Sequence, residues 1–397
     1  MYFSVRSKSG YRLLLASIAL CLLSVLPVHA AQYSVESSVS ARAEYNDNIF
    51  LTELPHDSVY GLIVIPEARM VAREANWETF LGARLRSNNY SDDGLNSNDI
   101  YLDASGSYSQ ERNIFSLAGQ YYRDSNLNAL RDDFGVIPRR IDRELWSVTP
   151  EYQRLLTERA VLAFSYSHVD VDYIDADDTG YVPYDLDTVT GSIAYGLTET
   201  DKLTFTLQAT DYQTKSESLE YQLFIGRVGL EHEFSELWSA DFSIGGSRRN
   251  ATVRATPTEE SKFSDTGTVF DLGLTREAET GTFLGRISRE NKPNSFGGLN
   301  VVDSLALILR QNISERWSYS IVARYRDIEA VALDRTTDRE VIIFEPKLFY
   351  AIDRFWTAEA SYRYSQRQFK SDTDDTAPDS NRVYIGMTYN FPDITTF

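Results

Sequence analysis

Apolar and polar residues alternate along most of the chain beyond residue 30. In residues 356–364 every second residue is apolar, from Trp356 through Ala358 to Tyr364, and the residues between them are polar. Residues 317–326 and 202–210 repeat this pattern. A period of two is that of a β-strand with two unlike faces. Because nearly every such segment keeps one polar face, the pattern predicts strands that lie between lipid and water rather than inside a dry core.

Short turn sequences recur about every 40 residues along the chain,. Eight of them stand at residues 74–77, 111–113, 157–159, 198–201, 235–238, 279–281, 314–317 and 353–356. This spacing is the size of two membrane-crossing strands with one loop and one turn. Eight turns that each join two strands, with one further strand at either end, predict about 18 strands. The predicted fold is therefore all-β, a closed antiparallel transmembrane up-and-down β-barrel.

The segments opposite the short turns are longer and more acidic. Residues 91–99, 170–187, 251–265 and 370–380 are such segments, and residues 124–142 are long enough to hold further structure. Long loops are extracellular and short turns periplasmic in outer-membrane barrels, which predicts the direction of insertion.

Aromatic residues mark both the membrane boundary and the last strand. Four tryptophans directly follow short turns, which predicts a periplasmic aromatic girdle made of Trp77, Trp238, Trp317 and Trp356,. The apolar alternation of residues 383–391 resembles the C-terminal signal that the barrel-assembly machinery reads. The candidate residues of this signal are Tyr389, Phe391 and the terminal Phe397.

The first thirty residues predict a cleaved secretory signal peptide. Positive residues precede an apolar run at residues 13–26, and Val28 and Ala30 are small residues at the positions that a signal peptidase requires,. We therefore expect a signal at residues 1–30 and a barrel at residues 31–397. Cys21 is the only cysteine and lies within the apolar run, so no disulfide is expected in the mature chain,.

Charge excludes one large class of partner. The chain has 58 acidic and 39 basic residues, a formal net charge of −19. Proteins that bind nucleic acid show a basic footprint, so no nucleic-acid partner is expected. The expected partners are outer-membrane lipid, lipopolysaccharide and the barrel-assembly machinery.

If the apolar faces point to lipid, the charged residues on the opposite faces line the lumen. The predicted basic lining residues are Arg42, Arg69, Arg84, Arg86, Arg227, Arg249, Arg286, Arg310, Arg324, Arg326, Lys347, Arg363 and Arg367. The predicted acidic ones are Glu67, Glu151, Asp241, Glu345 and Glu359. Two interpretations stay open: a positive wall that lowers the barrier for anions, or ion pairs between strands that only brace the barrel.

The sequence predicts no enzyme, no cofactor and no metal site. His168 lies near Asp170 and Asp172 and could activate water with them,. However, no serine or cysteine nucleophile motif accompanies this histidine. The oxygen-rich segments at residues 175–180 and 372–375 lack the closing glutamate of a calcium loop,.

The opening of the first strand carries a family resemblance. Residues 43–50, with the sequence AEYNDNIF, resemble the start of β-barrel porins that are found with exopolysaccharide biosynthesis genes. The pairs Pro66-Glu67 and Pro150-Glu151 are also similar to that family. The resemblance implies an outer-membrane component of polysaccharide export, with periplasmic polysaccharide-export proteins as candidate partners.

Three functions are compatible with this barrel. The preferred prediction is a channel that exports an exopolysaccharide, expected to be anionic, past the lumen arginines. The alternative is a general or substrate-selective diffusion porin with an inward-folded loop, for which residues 124–142 with Arg131, Arg139 and Arg140 are the candidate. A third prediction is a structural or surface-interaction barrel.

Overall fold

The computed structural model describes residues 32–53, 56–129, 139–174, 176, 179–216, 218–256, 259–331, 338–370 and 377–396. The predicted signal peptide, Phe397 and Arg131 lie outside these residues. Nearly all of the described chain is β-strand, and all strands belong to one sheet. No described helix is long and apolar enough to cross a membrane.

Nineteen strands follow one another along the chain, interrupted by two short helical turns at Asp93–Leu95 and Asn126–Ala129. The strands are β1 Gln32–Asn46, β2 Val59–Glu74, β3 Trp77–Tyr90, β4 Ser97–Gln110, β5 Asn113–Ser125, β6 Asp142–Thr157, β7 Ala160–Ile174, β8 Tyr184–Gly196, β9 Asp201–Thr214, β10 Leu219–Glu233, β11 Trp238–Thr256, β12 Glu259–Ala278, β13 Gly281–Pro293, β14 Leu299–Asn312, β15 Trp317–Val331, β16 Arg339–Ala351, β17 Trp356–Phe369, β18 Asp379–Asn390 and β19 Ile394–Thr396.

The sheet closes on itself because β1 pairs with β18. Each strand from β1 to β18 is antiparallel to the next, and the closing ladder runs from Ser38↔Asn390 to Asn46↔Arg382. The prediction of a closed antiparallel barrel of 18 strands is confirmed. Strand β19 prolongs this seam, because Ile394 pairs with Val35 one residue out of register with the ladder of β18.

Several short turns share one hydrogen-bonding device. Asp353 accepts hydrogen bonds from the backbone amides of Phe355 and Trp356, at 2.7 and 2.9 Å. Ser314 accepts from the amide of Trp317 at 3.1 Å, and Ser235 from that of Trp238 at 3.2 Å. Such a side-chain acceptor closes a tight turn without help from tertiary contacts. In each of these turns the amide that donates the hydrogen bond belongs to the tryptophan with which the next strand (β11, β15 or β17) begins.

The two faces of the wall differ sharply in polarity. Residues that are paired across antiparallel strands share a face, and one face carries large apolar side chains that are exposed. Leu207 is 72% exposed and Ile385 is 67% exposed. We call this the outer face. The opposite, inner face carries contacts between distant strands, such as the hydrogen bond of 3.5 Å from the hydroxyl of Tyr221 on β10 to the carbonyl of Val331 on β15.

The prediction of a long loop at residues 251–265 is wrong. This segment is mostly a hairpin, in which β11 and β12 stay paired from Ala251↔Phe263 to Thr256↔Glu259. The sheet therefore continues beyond the wall on this side, since β13 pairs with β12 only from Phe270 onward. Polar, acidic composition indicated exposure to water here, and residues 260–266 of β12 are exposed, whereas Ala251 of β11 is buried.

Three prolines interrupt the ladder without shifting it. Backbone pairs are missing at Pro66, Pro150 and Pro346, and the register is the same on both sides of each gap. A bulge inserts a residue and changes the register, so the prolines leave gaps in hydrogen bonding and not bulges.

Candidate functional site: the lumen

The ladder registers place the predicted charged residues on the inner face. Arg324, for example, pairs with Ile343, and Arg326 pairs with Val341, which in turn pairs with Arg367. The same reasoning puts the following residues on that face: Arg42, Arg69, Arg84, Arg86, Arg227, Arg249, Arg286, Arg310, Lys347, Arg363, Glu67, Glu151, Asp241, Glu345 and Glu359.

Strands β15 to β18 form a strongly basic wall. Their inner face carries seven cationic side chains and two carboxylates. The cations are Arg324, Arg326, Arg339, Lys347, Arg363, Arg367 and Arg382; the carboxylates are Glu345 and Glu359. We call this surface the basic wall. Arg339 and Arg382 also belong to it, and neither was among the lining residues predicted from the sequence.

Glu345 is the centre of the ionic contacts on the basic wall. Its side chain is 4% exposed and accepts a hydrogen bond of 2.9 Å from Nε of Arg363. Nζ of Lys347 lies 3.3 Å away and Nη2 of Arg382 lies 3.4 Å away. One carboxylate therefore neutralises only part of the charge of three cations, and the wall stays positive.

A second ionic contact joins the basic wall to β1. Nε of Arg42 lies 2.6 Å from Glu359, and Arg382 lies 3.6 Å from Glu44. The ring of Tyr384 lies between these groups, 5.0 Å from the guanidinium of Arg42. An aromatic face attracts cations, so the ring of Tyr384 reduces the repulsion between the guanidinium groups of Arg42 and Arg382 on either side of the seam.

The wall formed by β7, β8 and β9 has the opposite character. Its inner face carries mainly hydroxyl groups, and β7 and β8 have no charged side chain on that face. These hydroxyl groups belong to Ser165, Ser167, Thr188, Thr190, Ser192, Thr204, Thr206 and Thr210. Thr188 and Thr210 bond each other at 3.1 Å. We call this surface the hydroxyl wall; the alternation of Ser and Thr with apolar residues was its only signal in the sequence.

Two loops meet at the end of the barrel opposite the short turns, which we call the mouth. The amide of Val182 donates a hydrogen bond of 2.8 Å to the carbonyl of Ser295, and the rings of Tyr181 and Phe296 lie 5.3 Å apart. Ser295 is 1% exposed. Five strand spacings, about 24 Å along the wall, separate β8 from β13. A Cβ atom at Gly297 would lie 3.1 Å from Thr214 at the end of β9, so the loop at residues 294–298 leaves the wall at β13 and reaches toward β9.

Neighbouring side chains hold these mouth loops in place. Gly180 and Gly297 both have positive φ, of 76° and 81°, which glycine adopts without strain. Asn126 lies 3% exposed and bonds the hydroxyl of Tyr181. Burial raises the pKa of Tyr181, so it stays a neutral phenol. The inward-folded loop was predicted within residues 124–142, of which residues 130–138 lie outside the described chain. Among the described residues, the loop at 294–298 reaches into the mouth.

His168 is on the outer face and not in the lumen. Its Nδ1 lies 2.8 Å from Asp187, and its ring lies 4.8 Å from that of Trp146. Asp170 and Asp172 bind Lys215 instead, at 2.9 and 2.8 Å. The predicted histidine with two carboxylates therefore does not assemble.

The tryptophans that follow short turns lie on the outer face. Trp317 packs on Tyr350 with ring centroids 4.6 Å apart, and Trp356 packs on Tyr389 with ring centroids 4.8 Å apart, both pairs with tilted rings. Trp77 pairs with Tyr108, and Trp238 lies near Phe283. Phe391 packs on Tyr389 at 4.9 Å, at the seam between β18 and β1.

Comparison with known proteins shows a likeness of fold. No protein-family model and no curated protein matches the chain. Among solved structures, outer membrane protein opdK of Pseudomonas aeruginosa is similar with a TM-score of 0.50 and 9% identity, over 92% of this chain and 99% of that one. OccK2 (OpdF) of Pseudomonas aeruginosa has a TM-score of 0.48 and 11% identity, over 90% and 98%. OccAB4 of Acinetobacter baumannii has 0.47 and 11%, over 92% and 100%. At such identities the likeness concerns the barrel fold alone.

Proposed function

We propose that the chain is an outer-membrane channel through which small anionic solutes diffuse. The observation that carries this proposal is the excess of cations on the basic wall, which faces uncharged hydroxyl groups on the other side of the lumen. A ring or wall of one charge lowers the barrier for ions of the opposite sign. Ion pairs that only brace a barrel would need as many carboxylates as cations. The inner face of β15 to β18 has two carboxylates for seven cations, and with the adjoining strand β1, which supplies Arg42, Glu36 and Glu44, it has four carboxylates for eight cations.

The outer face supports the location in the membrane. Exposed leucine, isoleucine and phenylalanine side chains cover it, and tryptophans lie at its short-turn end. An apolar band with aromatic residues at its border suits the lipid of an outer membrane. In this orientation the short turns are periplasmic and the mouth is extracellular.

The mouth favours a porin for small solutes over an exporter of a polymer. The loop at 294–298 occupies part of the passage, with Phe296 packed on Tyr181. A polysaccharide chain in transit needs a continuous free path, whereas small solutes pass beside an inward-folded loop. Export of an exopolysaccharide remains a prediction from the family resemblance.

Single-channel recording tests the porin proposal with matched charge changes. The double variant Arg324→Gln/Arg326→Gln should lower the permeability of chloride relative to potassium several-fold, since one nearby charge changes the energy of an ion by about 1 kcal/mol even in water. The control Arg123→Gln/Arg248→Gln removes the same charge from exposed sites on the outer face, and its selectivity should stay unchanged. Equal effects in both variants would contradict a path along the basic wall.

A gene deletion separates the two transport functions. Loss of surface polysaccharide, with small-anion uptake unchanged, would favour the exporter and overturn the porin proposal. Loss of anion uptake with normal surface polysaccharide is the result that we expect.

A further inference from the structure

A recess of about 400 Å³ opens in the lumen wall formed by β2 to β5. Phe80, Arg84, Asp103, Gln120 and Tyr122 line it, with Gly82 among them. It lies outside the basic wall, which consists of β15 to β18. Binding sites for small molecules have volumes of roughly 300 to 1,000 Å³, so the recess is of that size.

Small residues create this recess. Gly82 lies beside Asp103 of β4 in one row of the wall, and Ser105 and Ala118 lie beside each other in the next row, so these three small residues leave space between the larger side chains around them. A Cβ atom at position 82 would lie 3.0 Å from the end of the Phe80 ring. A larger side chain at position 82 would therefore occupy the space beside this ring.

Planar polar groups surround the recess. The hydroxyl of Tyr122 donates a hydrogen bond of 2.7 Å to Oδ1 of Asp103, and the amide of Gln120 lies on the neighbouring strand in the same row as Asp103. The guanidinium of Arg84 lies 4.3 Å from the ring of Tyr101. Arg84 forms no ion pair with any described residue, so its donors remain available.

Charges around the recess are balanced and interleaved. Arg69 and Arg84 supply two positive charges, and Glu67 and Asp103 supply two negative ones. Arg69 lies 2.6 Å from Glu67. Equal numbers of positive and negative side chains favour a ligand without net charge. Because the two signs alternate around the recess, it has no separate positive and negative ends for the two charges of a zwitterion.

We propose that this recess binds a neutral sugar of hexose size. Aromatic rings beside carboxylate, amide and guanidinium groups match the apolar faces and adjacent hydroxyl groups of a pyranose. The inference rests on the proposed function only in that solutes must be able to enter the lumen. It does not depend on the selectivity of the basic wall for anions. It adds a second class of solute to the proposed function, recognised on a different part of the wall.

Saturation-transfer NMR on the folded full chain in detergent micelles tests the site, with D-glucose as the probe. D-Glucose should receive saturation from the unaltered barrel, and Gly82→Leu should abolish the transfer by filling the recess. Gly229→Leu is the matched control, because it adds the same side chain on the inner face of β10, where a Cβ meets its neighbours only at 3.4 Å. This variant should bind the sugar normally.

A second variant keeps the test independent of folding at position 82. Asp103→Asn adds no bulk and should weaken binding of D-glucose by about tenfold, the scale of one hydrogen bond to a charged group. Absence of transfer to D-glucose in the unaltered barrel, or equal transfer in all variants, would overturn the proposal. Transfer to L-glutamine in place of D-glucose would assign the recess to zwitterions. Because NMR needs no conduction, a failure here leaves the chloride selectivity untouched, and the two proposals fail separately.

Discussion

The amide of Val182 donates a hydrogen bond of 2.8 Å to the carbonyl of Ser295 and so joins two loops from distant parts of the wall. The contact brings Phe296 against Tyr181, with ring centroids 5.3 Å apart. The passage at the mouth therefore depends on a few contacts between loops, while the barrel itself is held by a continuous ladder.

Phe296→Ala should raise the single-channel conductance. Removal of the ring abolishes its contact with Tyr181, a pair that contributes about 0.5–1.5 kcal/mol, and frees the loop to leave the mouth. Phe263→Ala, at an exposed position on the projecting hairpin of β11 and β12, is the control and should conduct normally. A conductance that does not rise in Phe296→Ala would show that this loop does not limit the passage.

Glu345→Gln should destabilise the barrel strongly. Arg363, Lys347 and Arg382 lose their shared carboxylate, and breaking a buried ion pair costs about 3–5 kcal/mol. The free energy of unfolding in urea, measured in lipid vesicles, is the readout. Glu340→Gln on the same strand is the control, because Glu340 is 38% exposed and lies 3.7 Å from Lys370; it should cost about 0–1 kcal/mol. Equal losses would contradict a structural role for the buried cluster.

Asp353 should make the turn between β16 and β17 sensitive to acid. The amides of Phe355 and Trp356 donate to its carboxylate and hold its pKa below the ordinary range. A lowered pKa in the folded state means that the stabilisation is present above the ordinary pKa of about 3.9 and is lost as the pH falls through the lower folded value.

The measurement compares the unaltered chain with Asp353→Asn, whose amide oxygen still accepts but does not titrate. At neutral pH the unaltered barrel should resist unfolding by heat better than the variant. This advantage should shrink as the pH falls below about 3.9. An advantage that is independent of pH would show that the carboxylate charge is not what closes the turn.

Phe391→Ala should reduce the amount of assembled barrel. Its amide bonds the carbonyl of Ser37 at 2.9 Å, and its ring packs on Tyr389 beside the closing seam. Removal of residues 394–397 should have the smaller effect, since β1 and β18 keep their own ladder from residue 38 onward. The measurement is the fraction of heat-modifiable barrel in outer membranes. The opposite order of effects would assign the assembly signal to the terminal residues.

The barrel was predictable because each strand carries its own two-face pattern. The alternation through Arg324 and Arg326 puts both on one face by local geometry alone, and antiparallel pairing then keeps Val341 and Arg367 on that face. The strand count followed from turns whose acceptor residues, such as Ser314 and Asp353, act within four positions of the chain.

The mouth was not predictable in the same way. Ser295 and Val182 are far apart in sequence, and neither lies in an alternating segment, so only the closed barrel brings them together. The partners of His168 were missed for a related reason. Proximity in sequence suggested Asp170 and Asp172, whereas the ladder between β7 and β8 places Asp187 directly opposite.

The basic wall and the hydroxyl wall lie on different sides of one lumen, so the electric field has a component across the axis as well as along it. A solute with an uneven distribution of charge would turn during passage until its negative end faces β15 to β18. Its uncharged side would then meet the hydroxyl groups of β7 to β9.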